Sequence, residues 1–311
     1  MSKDIDHLLK TDIFKDALFC NILHLIMWKP KVKTLKCKFY DLSFLVKGLF
    51  NSRDVRQLKL SVAPSLAEKD IHIVTGADYT HGYSLLNLLE SISNYASEAS
   101  VTIWDLGLHS DQRAIVESKF PSYFLRTFDF SQYPDFVNIS NFVGQYAWKP
   151  LIIEMTLFEC RGNGIGIWLD AGDLVTGSLK EIQLLTLHFG FFSPYSTGRI
   201  IDWTHPETLH FLNLPSSSWK KPNCNGAIVS FDLSNENAMN LLSNWSASSL
   251  IVNCIAPEGS GRHNHRQDQS VLSVLAENAN LNFISNSRIL KKSQNILIHQ
   301  DSPLDVQVRD N

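Results

Sequence analysis

The stretch Ile165-Gly166-Ile167-Trp168-Leu169-Asp170-Ala171-Gly172-Asp173-Leu174-Val175 decides how the chain is read. An apolar run of strand character stops abruptly at Asp170, and a second carboxylate follows at Asp173. A strand covered on both faces reads as a continuous apolar run rather than an alternating one. In open α/β sheets, ligands bind at the carboxyl ends of such strands. Asp170 and Asp173 are therefore candidates to meet a ligand or a metal. A loop in which Asp170 only caps the next turn carries the same residues, so the flanking sequence has to decide.

Outward from this stretch, strands alternate with helical patterns. Strands are predicted over 71–76, 100–104, 123–128, 165–169, 226–232 and 295–299, with an extended segment at 190–194. Helices are predicted over 83–95, where leucines recur at helical spacing, and over 110–118, 141–159, 178–188, 206–213, 235–246 and 268–278. That alternation predicts βα units and a mostly parallel sheet flanked by helices, an α/β architecture. Three strands end in acids, at Asp78, Asp105 and Asp170, and the parallel sheet places all three at one edge around one hollow. Residues 1–65 read as a helical, basic N-terminal extension, 66–300 as one continuous α/β domain, and 301–311 as a polar, loose tail.

Composition narrows the functional classes. The chain has 311 residues, 44% of them hydrophobic and 19% charged, with a net charge of −3. It reads as globular, and nothing in the balance favours a nucleic-acid partner. Cys20, Cys37, Cys160, Cys224 and Cys254 are scattered and odd in number, which argues for reduced thiols and against a disulfide framework or a structural zinc site. The start of the chain lacks the pattern of a secretory signal, so a cytoplasmic setting is expected. The apolar segment 17–28 is too short to span a bilayer. Lysines at 29, 31, 33, 36 and 38 follow it, so the segment is read either as a core helix with a solvated basic loop or as a peripheral contact with an anionic membrane face. Neither a Gly-x-Gly-x-x-Gly nor a Walker phosphate loop is present.

Polar residues cluster again at Arg262-His263-Asn264-His265-Arg266-Gln267-Asp268, after Glu258-Gly259-Ser260-Gly261. The glycines permit a loop that closes over a ligand. Arg262 and Arg266 suit phosphate.

Three segments together resemble a family. Leu169-Asp170-Ala171 with Val175, preceded by a helix bearing the basic Lys149, is similar to the centre of GT-A-fold glycosyltransferases, nearest the glycogenin and bacterial lipopolysaccharide galactosyltransferase group. Asp268-Gln269-Ser270-Val271-Leu272-Ser273 resembles that group's Asp-Gln segment, and Asn225-Gly226 its acceptor-side strand. Order and spacing agree over roughly residues 70–300.

The resemblance implies a Rossmann-like sheet and transfer of a sugar from a nucleotide-diphosphate donor, UDP-linked, to a glycan or lipid-linked acceptor with retention at the anomeric carbon. It implies catalytic roles for Asp170, Asp268 and Gln269, and donor contacts from Thr75, Ala77, Asp78, Asp105, Lys149, Arg262 and Arg266. Asn225 and Gly226 would face the acceptor. A Mn2+ or Mg2+ ion would be held by Asp170, Asp173 and a late histidine, His265 or its neighbour His263. A cation bridging two phosphates stabilises the leaving group, which is what such a transfer needs. The family's second acid is Gly172 here, with Asp173 one place later. That departure leaves open a metal-free route in which basic side chains hold the diphosphate. Two rivals remain: a sugar nucleotidyltransferase, disfavoured because 75–82 has no basic Arg or Lys, and a non-catalytic carbohydrate-binding protein on the same fold.

Overall fold

Apolar residues set the elements in chain order: Ile71–Ala77 (β1), Gly82–Tyr95 (α1), Ser100–Asp105 (β2), Ser110–Lys119 (α2), Phe124–Thr127 (β3), Trp148–Glu159 (α3) and Ile165–Leu169 (β4). Then come Leu174–Val175 (β5), Lys180–Phe189 (α4), Phe191–Phe192 (β6), Tyr195–Arg199 (β7), Ile200–Trp203 (α5), Pro206–Phe211 (α6) and Pro222–Cys224 (β8). Ile228–Asp232 (β9), Glu236–Ser249 (α7), Val252–Ile255 (α8), Gln267–Asn278 (α9) and Ile296–Leu297 (β10) complete the order. The structure, a computed structural model, describes residues 70–162, 164–281 and 293–305. The basic extension expected over 1–65, and the membrane contact read into it, lie outside the described residues. No helix among the described residues is long and apolar enough to cross a membrane.

The central sheet runs β3-β2-β1-β4-β9-β6. Its first four strands are parallel, and β9 lies antiparallel to both β4 and β6. This is the mixed, mostly parallel α/β sheet that the alternating pattern predicts. Every residue of β4 is buried, as its unbroken apolar run requires. Helix α1 buries Leu85, Leu88, Leu89 and Ile92, one apolar stripe turned inward. A second core joins α3, α7 and α9 to the sheet through Ile152, Trp168, Val229, Phe231, Leu242, Trp245 and Val271.

Two expectations are corrected. The long helix expected over 141–159 begins only at Trp148, where Pro150 falls within the first turn and its missing N–H costs nothing. Before it, Val143, Gly144 and Gln145 take left-handed backbone angles, with φ of 57°, 58° and 50°. Gly144 sits so close to Val137 that a Cβ there would overlap the Val137 carbonyl. The tail expected to be loose from 301 is, over its first five residues, part of a strap. β10 pairs with β5, and beyond it Asp305 is fully buried.

Candidate functional site

β1 and β4 end side by side, and at their carboxyl ends opens a cavity of about 1070 Å3. Two helix beginnings also reach it, since Lys149 of α3 and Gln267, Asp268 and Gln269 of α9 line the same space. Asp170 stands at the tip of β4. Its backbone N–H donates to Ala227 O at 3.1 Å, which ties the tip to the strand next door. Trp168 Nε1 donates to Asp170 Oδ1 at 2.7 Å, so the buried tryptophan of β4 orients the acid.

Lys149 is the centre of charge. It is buried, with Nζ 3.0 Å from Asp170 Oδ1 and 3.2 Å from Asp268 Oδ2, and it donates to Gly226 O at 3.4 Å. The rings of Trp168 and Tyr146 flank it at 5.5 and 5.8 Å. Burial alone would lower the ammonium's pKa, but Asp170 and Asp268 outweigh it and hold the group above the ordinary lysine range. Asp268 responds oppositely: burial raises its carboxyl and Asp170 adds to that, against the counter-pull of Lys149. The amide of Gln269 accepts from Gly226 N–H at 3.4 Å through Oε1, while its Nε2 is buried with no hydrogen-bond partner. A donor is thus held ready beside Asp268.

Asp173 closes the turn that follows Asp170. Its N–H donates to Asp170 O at 2.9 Å and its Oδ2 accepts from Asp170 N–H at 3.2 Å. Burial pushes its carboxyl well above the carboxylate range, and the charge of Asp170 pushes the same way. Oδ1 of Asp173 has no hydrogen-bond partner.

At the end of β1, Ala77 and Asp78 line the cavity. Asp78 Oδ1 accepts from the Thr80 N–H and hydroxyl at 3.1 and 2.6 Å. Burial would raise this carboxyl, but the bonds from His81 and Thr80 prevail and lower it. Asn225, Gly226, Arg262 and Arg266 also line the cavity. Arg262 donates to the Tyr146 hydroxyl at 3.0 Å, and Arg266 stacks on Trp203 at 4.0 Å.

Three of the expected site residues are placed or engaged otherwise than a ligand contact would require. Thr75 is fully buried within β1 and is not among the residues lining the cavity. Asp105 also stands outside the lining, because its carboxylate is already engaged: it accepts from Gly107 and Leu108 N–H at 2.8 and 2.7 Å and pairs with Arg113. The loop it shapes reaches the cavity through Leu106 and Gly107 instead. The ring of His265 is held by backbone at both nitrogens, with Nδ1 3.2 Å from His205 N and Nε2 2.8 Å from Ile255 O. Neither nitrogen is left to bind a metal, and its neighbour His263 is not in the lining. Among the described residues no group of three or more His, Cys, Asp or Glu is already gathered to hold a metal ion.

By sequence, residues 33–154 match a family described as a protein of unknown function (DUF1647). No curated protein matches the chain. Among solved structures, the chain is similar to the galactosyltransferase LgtC in complex with donor and acceptor sugar analogues, at 14% identity and a TM-score of 0.46, over 75% of this chain and 87% of that one. It is also similar to the apo-form glycosyltransferase GlyE of Streptococcus pneumoniae TIGR4, at 11% identity and a TM-score of 0.42 over 68% and 44% of the two chains. A third is the mannosyltransferase Ktr4p of S. cerevisiae, at 10% identity and 0.44 over 87% and 82%. All three are glycosyltransferases.

The sequence reading missed the strap. His299 and Asp301 line the cavity, although 301 onward reads as a polar tail. A signal was present at Gly172, the one place where the acid pattern of the turn fails. It missed Trp168 as a flank of Lys149 because a tryptophan is an ordinary apolar choice for a buried strand, whereas Tyr146 stands beside Lys149 in the sequence itself.

Proposed function

We propose that the chain is a glycosyltransferase that moves a sugar from a nucleotide-diphosphate donor, UDP-linked, to a glycan or lipid-linked acceptor. The observation that carries this reading is the buried Lys149 held between Asp170 and Asp268, with the unpartnered Nε2 of Gln269 beside them. A cavity with that floor offers a hydrogen-bond donor and charged groups of both signs at the place where strand tips meet a ligand.

The lining also bears on a cation. Asp78, Asp170, Asp173, Asp268 and Asp301 face Lys149, Arg262 and Arg266, five carboxyls against three fixed positive charges. A diphosphate entering such a space needs added positive charge. Buried Asp173 Oδ1 makes no hydrogen bond of good geometry, although the His299 backbone N–H faces this carboxyl. An all-oxygen acid set is the chemistry that suits Mg2+ or Mn2+. The residues present fit the ion, with Asp170 as a holder and Asp173 beside it on the same turn. A divalent cation bound there supplies neutralisation of the departing diphosphate.

The remaining roles belong to the chain itself. Lys149 orients Asp170 and Asp268, Arg262 and Arg266 face the phosphates, and Gly76 to Asp78 form the nucleoside wall. Gln269 Nε2 donates to the transferred sugar, and Asn225 and Gly226 face the acceptor. In a retaining route the acceptor oxygen bonds to the anomeric carbon on the face that the diphosphate leaves. The anomeric C–O bond to phosphate breaks, and the acceptor proton passes to a phosphate oxygen. No separate base is required.

The test is release of nucleoside diphosphate from a panel of UDP-, GDP- and CMP-sugars with Mn2+ present. Losing a partner in a metal site costs about 10–100-fold in metal affinity or activity, so Asp170→Asn, which removes a carboxylate that would hold the cation, is expected to lower release by at least that factor. Equal release by wild type and Asp170→Asn, or none from any donor, would end the proposal.

A further inference from the structure

Gly172 has no backbone reason to be glycine, since its φ is outside the left-handed region. What a side chain there would meet is Asp301: a Cβ added to Gly172 would overlap Asp301 Oδ1, so that carboxylate would have to turn aside. The Asp301 carboxylate thus occupies the space beside Gly172 into which an acid at 172 would project.

The strap that delivers Asp301 is fastened along its length. Ile296 and Leu297 pair with Val175 and Leu174, directly after the acidic turn. Gln300 N–H donates to Gly172 O at 2.6 Å. Ser302 N–H donates to Ser84 Oγ at 2.8 Å. Asp305 accepts from Tyr83 and Ser84 N–H at 3.0 and 2.7 Å, which satisfies open donors in the first turn of α1. Asp301 is thus held on both sides by bonds to two other elements, and it lines the cavity with Asp170 and Asp173.

A separate observation points to a ligand at this place. Asp173 is 0% exposed, lines the cavity, and leaves Oδ1 without a hydrogen-bond partner. Buried acceptors are almost always satisfied, and one that is not needs a partner of its own.

We propose that Asp301 supplies the carboxylate that Gly172 lacks, completing with Asp170 the oxygen site for the divalent cation that accompanies the donor's diphosphate. The assignment rests on the donor reading above. Cations of the Mg2+ type are held by one or two carboxylates plus substrate phosphates rather than by a full protein cage. Two acids with the diphosphate are therefore enough, and a preformed group of three is not required.

The experiment counts bound Mn2+ by the loss of its free-ion electron paramagnetic resonance signal, with and without UDP or GDP. Wild type, Asp301→Asn and the relocated pair Gly172→Asp with Asp301→Gly are compared, and far-UV circular dichroism checks that each is folded. Loss of metal-site partners costs about 10–100-fold in affinity, so Asp301→Asn is expected to weaken Mn2+ binding by at least that range. The relocated pair, which moves the acid across the contact, is expected to recover most of it. Unchanged affinity in Asp301→Asn overturns the assignment, as does a folded relocated pair that stays as weak as Asp301→Asn. Calorimetry with the nucleotide separates the two readings. If the nucleotide binds and Mn2+ uptake ignores Asp301, only this assignment falls; if neither UDP nor GDP binds, both fall.

Discussion

Asp170 is oriented before any ligand arrives, by Trp168 Nε1 at 2.7 Å and Lys149 Nζ at 3.0 Å. Preorganisation of this kind removes the cost of aligning an acid during the reaction. His265 performs a different task in the same wall: it links the backbones of His205 and Ile255. Burial lowers its pKa to about 4 from 6.5, against the pull of the Ile255 carbonyl. Between those values the unfolded chain takes up a proton that the folded chain refuses, so stability is lost as pH falls through that window. Asp173 and Asp268, raised in the fold, act in the opposite sense on acidification. Comparing wild type with His265→Gln isolates the ring. Urea unfolding should show wild type losing about 2 kcal/mol more than the variant between roughly pH 7 and pH 5. An equal pH response in both proteins would show that the ring is not held neutral.

At the scale of elements, the left-handed turn before α3 stands out. Left-handed backbone costs about 1–2 kcal/mol per L-residue, yet it turns Val143 and Tyr146 toward the cavity. Gly144 is where the turn meets Val137. Gly144→Ala combines a left-handed penalty with overlap against backbone and is expected to cost about 2–4 kcal/mol. Gly162 is the control, with φ of +89° and nothing within 4 Å of an added Cβ. Gly162→Ala carries the backbone penalty alone, about 1–2 kcal/mol. Thermal melts of the two variants check this, and equal losses would mean that the Val137 contact is not tight.

Over the whole molecule, charge is what would govern binding of the proposed donor. The cavity gathers five carboxyls and three fixed cations, inside a chain whose net charge is only −3. A nucleoside diphosphate that binds the folded state raises its melting point. With Mn2+ present, UDP at about a hundred times its dissociation constant stabilises by about 2.7 kcal/mol, or roughly 5–10 °C for a unit of this size. In EDTA the rise should shrink to a small fraction of that. An undiminished rise in chelator would assign diphosphate neutralisation to Lys149, Arg262 and Arg266 alone.

What the sequence by itself determined is whatever depends on neighbours along the chain. The apolar run 165–169 had to be a buried strand, the leucines of 83–95 a helix, and Asp170 a strand tip, because period and burial are local properties. Asp170, Lys149, Asp268 and Gln269 line one cavity. Only the tertiary structure decided which acids are already engaged. Arg113 and two loop amides take Asp105, backbone takes both nitrogens of His265, and a strap from the far end of the chain places Asp301 against Gly172. These outcomes turn on which distant groups arrive within hydrogen-bond reach, a distance that residue order does not carry.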